Sequence, residues 1–307
     1  MTVLASHEGQ RIDNFLITHL KGVPKSRIYR LLRTGQIRVN KGRVKAGFRV
    51  SGGDMIRIPP LRLPEQTNNS DRIPSSLVSE LAARQLYVDD DLIILNKPAG
   101  IAVHGGSGIR FGLIEAMRAC YPDDRELDLV HRLDRETSGC LLLARRRTIL
   151  KRLHDMFQNG QVRKQYLALL AGHWRRGKHI VDTALARTRD MSGQRIVRAN
   201  EEGRASRSSF IVERNYTQCC LASVVLETGR MHQIRVHAAS AGHAVAGDDK
   251  YGEREFNRQM KSYGLRRLFL HASNLTFVHP GQENMLSIDA PLDADLSDVL
   301  KNIERMS

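Results

Sequence analysis

At 307 residues the chain is long enough for one large hydrophobic core plus a small second domain, and 26% charged with 5% aromatic residues suits a water-soluble fold. Its 48 Lys and Arg against 33 Asp and Glu leave a formal charge of +15, which points to a polyanionic partner without separating RNA from DNA or an anionic membrane surface. No run of about 18 apolar residues could span a bilayer, the N-terminus lacks the apolar core of a signal peptide, and Cys120, Cys140, Cys219 and Cys220 show neither metal-ligand spacing nor a disulfide framework, as expected in a reducing cytosol.

The charge is lopsided. Residues 1–63 hold 13 basic and 3 acidic side chains, a net of +10, which leaves only +5 for the rest of the chain. Ile12, Phe15, Leu16 and Leu20 recur with a helical period that Gly22 and Pro24 close. A second short helix follows Pro24, with Ile28, Leu31 and Leu32 on one side and Arg27, Arg30 and Arg33 roughly opposite. Short β segments are expected at 37–39, 48–50 and 55–58, with turns at Asn40-Lys41-Gly42 and Gly52-Gly53. Between Lys21 and Gly53 there are ten basic residues and no acidic one. Arginines at one-turn spacing can neutralise successive phosphates while the apolar side packs down, although a charged helix face is often merely solvated.

Two helices and a small sheet, with Arg11-Ile12-Asp13 near the start and Arg38-Val39-Asn40-Lys41-Gly42 after the second helix, resemble an S4 RNA-binding domain. Together the charge pattern and this resemblance nominate Lys25, Arg27, Arg30, Arg33, Arg38, Lys41 and Arg43 as RNA contacts. Pro59, Pro60 and Pro64 then lead into a polar stretch without periodicity, so the expected layout is an RNA-binding domain over 1–63, a linker over 64–83 and a larger domain over 84–307.

Strands are expected at 86–88 and 92–95, a turn at Asn96-Lys97-Pro98-Ala99-Gly100, and a helix over 111–121. Mostly polar residues from His131 to Gly139 follow, and then the apolar run 140–144, which suits a buried strand. Thr137-Ser138-Gly139 is turn chemistry, so a loop presents Arg132, Asp134 and Arg135 beside a sheet edge. A carboxylate flanked by two guanidiniums is held ionised. It suits a nucleophile or a partner for developing positive charge, while the plain alternative is a structural ion pair on a tight turn. Further on come a helix over 148–158, a strand over 164–170 that sets Tyr166 amid apolar residues, and a strand over 222–226. Taken alone, Tyr166 reads as a core aromatic with a satisfied hydroxyl. A helix is expected from Met231 to near Gly242, and an amphipathic one closes the chain at 296–303. His232 and His237 lie five apart rather than four and lack a carboxylate motif, so they are expected to serve packing or RNA contact, not a metal.

His131-Arg132-Leu133-Asp134 with Thr137-Ser138-Gly139 resembles the signature loop of the RluA-type pseudouridine synthases. Lys164-Gln165-Tyr166 and the run from Gly229 to His237 are similar to two further motifs of that family, and the likeness extends from about Gly9 to Pro291. It implies an α+β fold, an S4-like αα-β module followed by a catalytic domain on a mixed, largely antiparallel sheet. It further implies that Asp134 is the essential carboxylate, that Tyr166 stacks on the target base, that Arg132 enters the space the base vacates, and that Arg235 pairs with Asp134. One ionised Asp can attack C1′ of the ribose or C6 of the base, or take the 2′ proton. Isomerisation needs no redox change and no external group, so no cofactor and no metal are expected. The implied partner is 23S ribosomal RNA or a large-subunit precursor, approached by a cytoplasmic monomer with no membrane association. A non-catalytic S4-type RNA-binding or ribosome-assembly factor is the alternative, yet decay of an enzyme scaffold should first erase the Asp, the Tyr or the Arg, and all three stand. A nucleoside-cleaving hydrolase would usually need a second positioned carboxylate, and no partner for Asp134 is evident.

Overall fold

The computed structural model describes residues 1–20, 23–60, 73–105, 111–189 and 195–306. They fall into two units, Met1–Arg72 and Ile73–Ser307. In the first, α1 (Ile12–His19) and α2 (Lys25–Arg33) turn their apolar residues toward each other. Ile12, Phe15, Leu16, Ile28, Leu31 and Leu32 are buried together with Ile37, Val39, Val50 and Ile56. The Arg11-Ile12-Asp13 segment is a tie between the helices. Arg11 donates to Asp13 through Nε and Nη2 at 3.1 and 2.7 Å, and the Tyr29 hydroxyl of α2 donates to the same carboxylate at 3.2 Å. These bonds, led by Arg11, lower the Asp13 pKa.

The small sheet pairs β1 (Arg38–Val39) with β2 (Gly42–Arg43) and β3 (Ile56–Arg57), both antiparallel. Asn40 and Lys41 both take positive φ, 47° and 70°, the primed turn that matches the twist of a two-residue hairpin. This corrects the expected strands. Because only two residues are needed to turn, Gly42 already pairs with Val39, whereas the 48–50 segment contributes just an isolated bridge from Arg49 to Arg11.

The expected linker also needs correction. Its residues 64–72 lie outside the described ones, and 73–83 belongs to the second unit. Leu77 and Leu81, four apart, give α3 (Ser75–Ala83) an apolar side that joins the main core, with Leu81 wholly buried. From there the chain runs through β4 (Gln85–Val88), β5 (Leu92–Lys97), α4 (Leu113–Cys120), β6 (Asp128–Leu129), β7 (Ser138–Ala144) and α5 (Arg147–Gln158). Next come β8 (Arg163–Ala171), β9 (Lys178–Asp182), β10 (Leu185–Arg189), β11 (Arg195–Ala199), β12 (Arg207–Asn215) and β13 (Cys219–Leu226). The last elements are α6 (Gln233–Ser240), α7 (Arg254–Ser262), β14 (Leu270–Val278), β15 (Met285–Asp289) and α8 (Ala294–Met306).

Ten strands form one sheet in the order β4-β5-β7-β14-β8-β13-β12-β9, with β6 on β7 and β15 on β14. Every pairing is antiparallel except β7 with β14, so the mixed, largely antiparallel sheet is as expected. No residue of β5 or β7 is exposed. Leu113, Ile114 and Met117 of α4 and Ile149 and Leu153 of α5 are buried in the same core. Strands β10 and β11 form a separate hairpin.

Gly139 sets the parallel contact. Its φ is +108°, and a Cβ there would lie 2.2 Å from the carbonyl oxygen of Ala272. Only glycine lets β7 meet β14 this closely. The loop that precedes β7 is thereby fixed at its downstream end.

Candidate active site

Asp134 sits in that loop, and the backbone around it is fastened from several sides. The Thr137 amide donates to the Asp134 carbonyl at 3.2 Å, closing the turn. Leu133 and Thr137 are buried. Upstream, His131 Nε2 accepts the Leu142 amide at 3.1 Å and its ring stacks on Phe157. Burial pushes its pKa down to about 4, so the ring is neutral and able to accept. Downstream, the Arg135 carbonyl accepts from the Gly100 amide at 2.9 Å and from Lys97 Nζ at 3.0 Å. Lys97 is wholly buried and also donates to the carbonyls of Pro98 and Ile101, each at 2.9 Å. Burial brings its pKa down to about 7, and three accepting carbonyls match the three donors of an ammonium.

The side chain, by contrast, is left open. Among the described residues the Asp134 carboxylate accepts no hydrogen bond; the Arg235 guanidinium lies nearby, with Nη1 at 3.6 Å, and so does the His232 ring, with Nε2 at 3.7 Å. It faces a cleft of about 150 Å³ shared with Arg132, Tyr166, Arg187, His232 and Arg235. Tyr166 reaches the cleft from β8, where it pairs with Val224 of β13. Its ring is nearly buried, and its hydroxyl has no hydrogen-bond partner among the described residues, so it is not the satisfied core aromatic of the plain reading. Burial, then the nearby Asp134 charge, raises its pKa, which keeps the phenol neutral.

One expectation about charge is overturned, and another is met as an ion pair without a hydrogen bond. Arg132 and Arg135 do not flank Asp134. Arg135 turns away, with Nε on the Gly100 carbonyl at 2.8 Å. Arg132 is exposed at the cleft and has no ion pair among the described residues. Arg135 lies in the turn that the Thr137 amide closes on the Asp134 carbonyl, which carries its side chain away to Gly100. Arg235 does lie beside Asp134, but its paired hydrogen bonds go elsewhere. Nε and Nη2 donate to Asp248 at 2.6 and 2.7 Å, leaving Nη1 as the closest group to Asp134. Burial works against charge on Asp248, yet Arg235 and the Lys250 and Tyr251 amides outweigh it and lower its pKa. This planar, bidentate pair orients the guanidinium at the start of α6.

His237 is a packing residue, as expected. Its ring lies between the hydroxyls of Ser206 and Ser208 and the Thr183 carbonyl. His232 instead enters the site. Sequence reasoning gives no role to Asp248, Tyr251, Lys97 or Arg187, although Ala246-Gly247-Asp248, Lys250-Tyr251-Gly252 and the turn from Asn96 to Gly100 lie in segments that share the family resemblance. In the first unit, Arg27, Arg30, Arg33, Lys41 and Arg43 are exposed, Arg38 is half-buried with Nε on the Gly35 carbonyl, and the Lys25 side chain lies outside what is described.

A large mixed sheet whose central loop holds a carboxylate in an open cleft, in a chain that starts with an S4-like unit, defines an RNA-modifying enzyme. Residues 91–240 match the family model described as RNA pseudouridylate synthase, and residues 10–56 match the S4 domain; the chain belongs to the RNA pseudouridine synthase family. It is 47% identical over 300 residues to ribosomal large subunit pseudouridine synthase C of Pasteurella multocida, covering 98% of this chain and 92% of that protein. The protein of the same name from Escherichia coli K12 is 48% identical over 305 residues, covering 99% and 96%. Human RNA pseudouridylate synthase domain containing 4 shares the fold, with a TM-score of 0.62 at 24% identity over 75% of this chain and 96% of that one.

Proposed function

We propose that this pseudouridine synthase isomerises uridines of 23S ribosomal RNA, free or in a large-subunit precursor, in the cytoplasm, with Asp134 as the reacting carboxylate. The observation that carries the reading is the Asp134 side chain. It is fixed by its backbone, ungripped by any hydrogen bond among the described residues, and open to the same cleft as the Tyr166 ring. A structural ion pair would instead be closed on its partner, as Asp248 is on Arg235. The names of the relatives support the choice of large-subunit RNA.

The reaction breaks the C1′–N1 bond, turns the uracil and rejoins it through C5. Atoms are conserved, so this chain's own groups suffice. The base must leave the stack first, at a cost of a few kcal/mol. Tyr166 then offers a flat face for it, and Arg132 is available at the cleft to fill the space it leaves. Arg235, held by Asp248, keeps positive charge beside Asp134. The exposed basic side of α2 supplies salt-dependent affinity for the RNA backbone.

The test is release of tritium from C5-labelled uridine in 23S RNA, with free uracil measured in parallel. Tritium release without free base is the expected result. Free uracil would mark a hydrolase, and neither product would favour a binding factor.

A further inference from the structure

The Asp134 carboxylate has two cationic or polar neighbours, and the proposed reaction uses only one. The other is His232, which caps α6 in a left-handed conformation at φ 55°. That backbone region is uncommon for any residue with a side chain. Its ring bridges two groups. Nε2 lies 3.7 Å from Asp134 Oδ2, and Nδ1 lies 2.7 Å from the Tyr251 hydroxyl.

The proton on the ring follows from Tyr251. The phenol oxygen already accepts the Val197 amide of β11 at 2.9 Å. Its own proton has one acceptor among the described residues, His232 Nδ1. Were Nδ1 protonated, the phenol proton would be stranded in a half-buried site, at a cost. Tyr251 O–H donating to Nδ1 satisfies every group. A neutral imidazole with Nδ1 accepting carries its hydrogen on Nε2, and that hydrogen faces Asp134. Burial lowers the His232 pKa; Asp134 and Asp248 pull it up, while Arg235 and Lys250 push it down.

We propose that His232 is a positioning residue for Asp134: its Nε2–H, fixed in that tautomer by Tyr251 and Val197, holds Oδ2 so that the other carboxylate oxygen faces the nucleotide. At 3.7 Å the contact is a few tenths of an ångström beyond a hydrogen bond, and such contacts often tighten when substrate closes a site. Met231, Tyr251, Val197, Leu185 and Val236 pack together, so the hairpin of β10 and β11 holds the tautomer in place. The inference rests on Asp134 being the reacting group.

The experiment is single-turnover pseudouridine formation at saturating 23S RNA, with RNA affinity measured separately. Loss of a hydrogen bond to a charged group should make His232→Leu about 10- to 100-fold slower with affinity unchanged. His232→Gln carries an amide N–H the same number of bonds from Cβ and should recover most of that loss. Tyr251→Phe should slow the wild type by a smaller factor, yet cost nothing further in the His232→Gln background, whose donor needs no tautomer. Wild-type rate in His232→Leu, Gln no better than Leu, or independent losses from the two positions would overturn the proposal. Should His232→Leu fail to fold, the Gln and Phe variants alone decide it by the same non-additivity. Full turnover by Asp134→Asn would instead overturn the underlying reading, whereas an inactive Asp134→Asn beside an unaffected His232→Leu overturns only this one.

Discussion

Arg30 and Arg33 stand exposed on α2 with no ion pair among the described residues, whereas Arg235 is all but buried on α6 and bonded twice to Asp248. One residue type thus stands in two environments. Exposed guanidiniums keep their hydration and remain open to phosphates, the kind of contact that salt weakens. Desolvated ones have been taken out of water at considerable cost and are held by matching carboxylates, so they supply geometry. Arg267, between Asp293 at 3.0 Å and Asp295 at 2.6 Å and reaching Ser138 Oγ at 3.2 Å, is of the second kind.

Five variants break or sharpen this contrast. Asp134→Asn removes the carboxylate proposed to react. Pseudouridine formation should fall to background while RNA binding stays within about threefold, because phosphate neutralisation dominates affinity; mass spectrometry must exclude deamidation back to Asp. Wild-type turnover would end the assignment.

Arg235→Met attacks the buried pair. Breaking such a pair from one side costs about 3–5 kcal/mol, read as a lowered denaturation midpoint. In the wild type the lowered Asp248 pKa contributes stability that is present above the unfolded carboxylate value and lost as pH falls through the folded one. In the variant, burial without Arg235 raises that pKa, so protonation relieves the strain. The stability gap between the two proteins should therefore narrow as the solution is acidified. A constant gap would mean that Asp248 finds another cation.

Tyr166→Phe keeps the stacking face and should react nearly as fast as wild type. Tyr166→Leu loses it, at about 1–3 kcal/mol per stacked base, measured as single-turnover rate and RNA affinity. Equal damage from both would assign the work to the hydroxyl.

The smallest effect on the fold belongs to the first unit. Arg30→Gln with Arg33→Gln should leave stability within about 0.5 kcal/mol, yet flatten the dependence of RNA affinity on salt, by about 0.7–0.9 in log–log slope for each phosphate that is no longer neutralised. An unchanged slope would remove both residues from the interface.

Much of the architecture is legible in the sequence because it lies in local pattern. The helical periods of Ile12, Phe15 and Leu16 and of Ile28, Leu31 and Leu32 yield α1 and α2, and the apolar run at 140–144 yields β7. The β10 and β11 hairpin is not legible, since Ala186-Arg187-Thr188-Arg189 has too little alternation to read as a strand and owes its place to Leu185 and Val197 packing on Val236. At the site, the motif residues can be identified from sequence but not their partners. Which oxygen a guanidinium meets depends on residues 13 positions apart, as for Arg235 with Asp248, and sequence spacing carries no such direction. The same applies to Lys97, whose partner Arg135 lies 38 residues away.

That long-range bond of Lys97 has a consequence for how the loop is held and released. The amine ends β5, opposite Gly139 of β7, and its acceptors lie in the 98–101 turn and in the Asp134 loop. Lys97 reaches the loop from the end of β5, so its clamp on the Arg135 carbonyl requires β5 and β7 to be paired. Opening of the turn, by contrast, can release the loop while the strands stay paired. The Gly100 amide, which donates to the same Arg135 carbonyl, should exchange with solvent through this local opening, at a lower free energy than amides in the middle of β7.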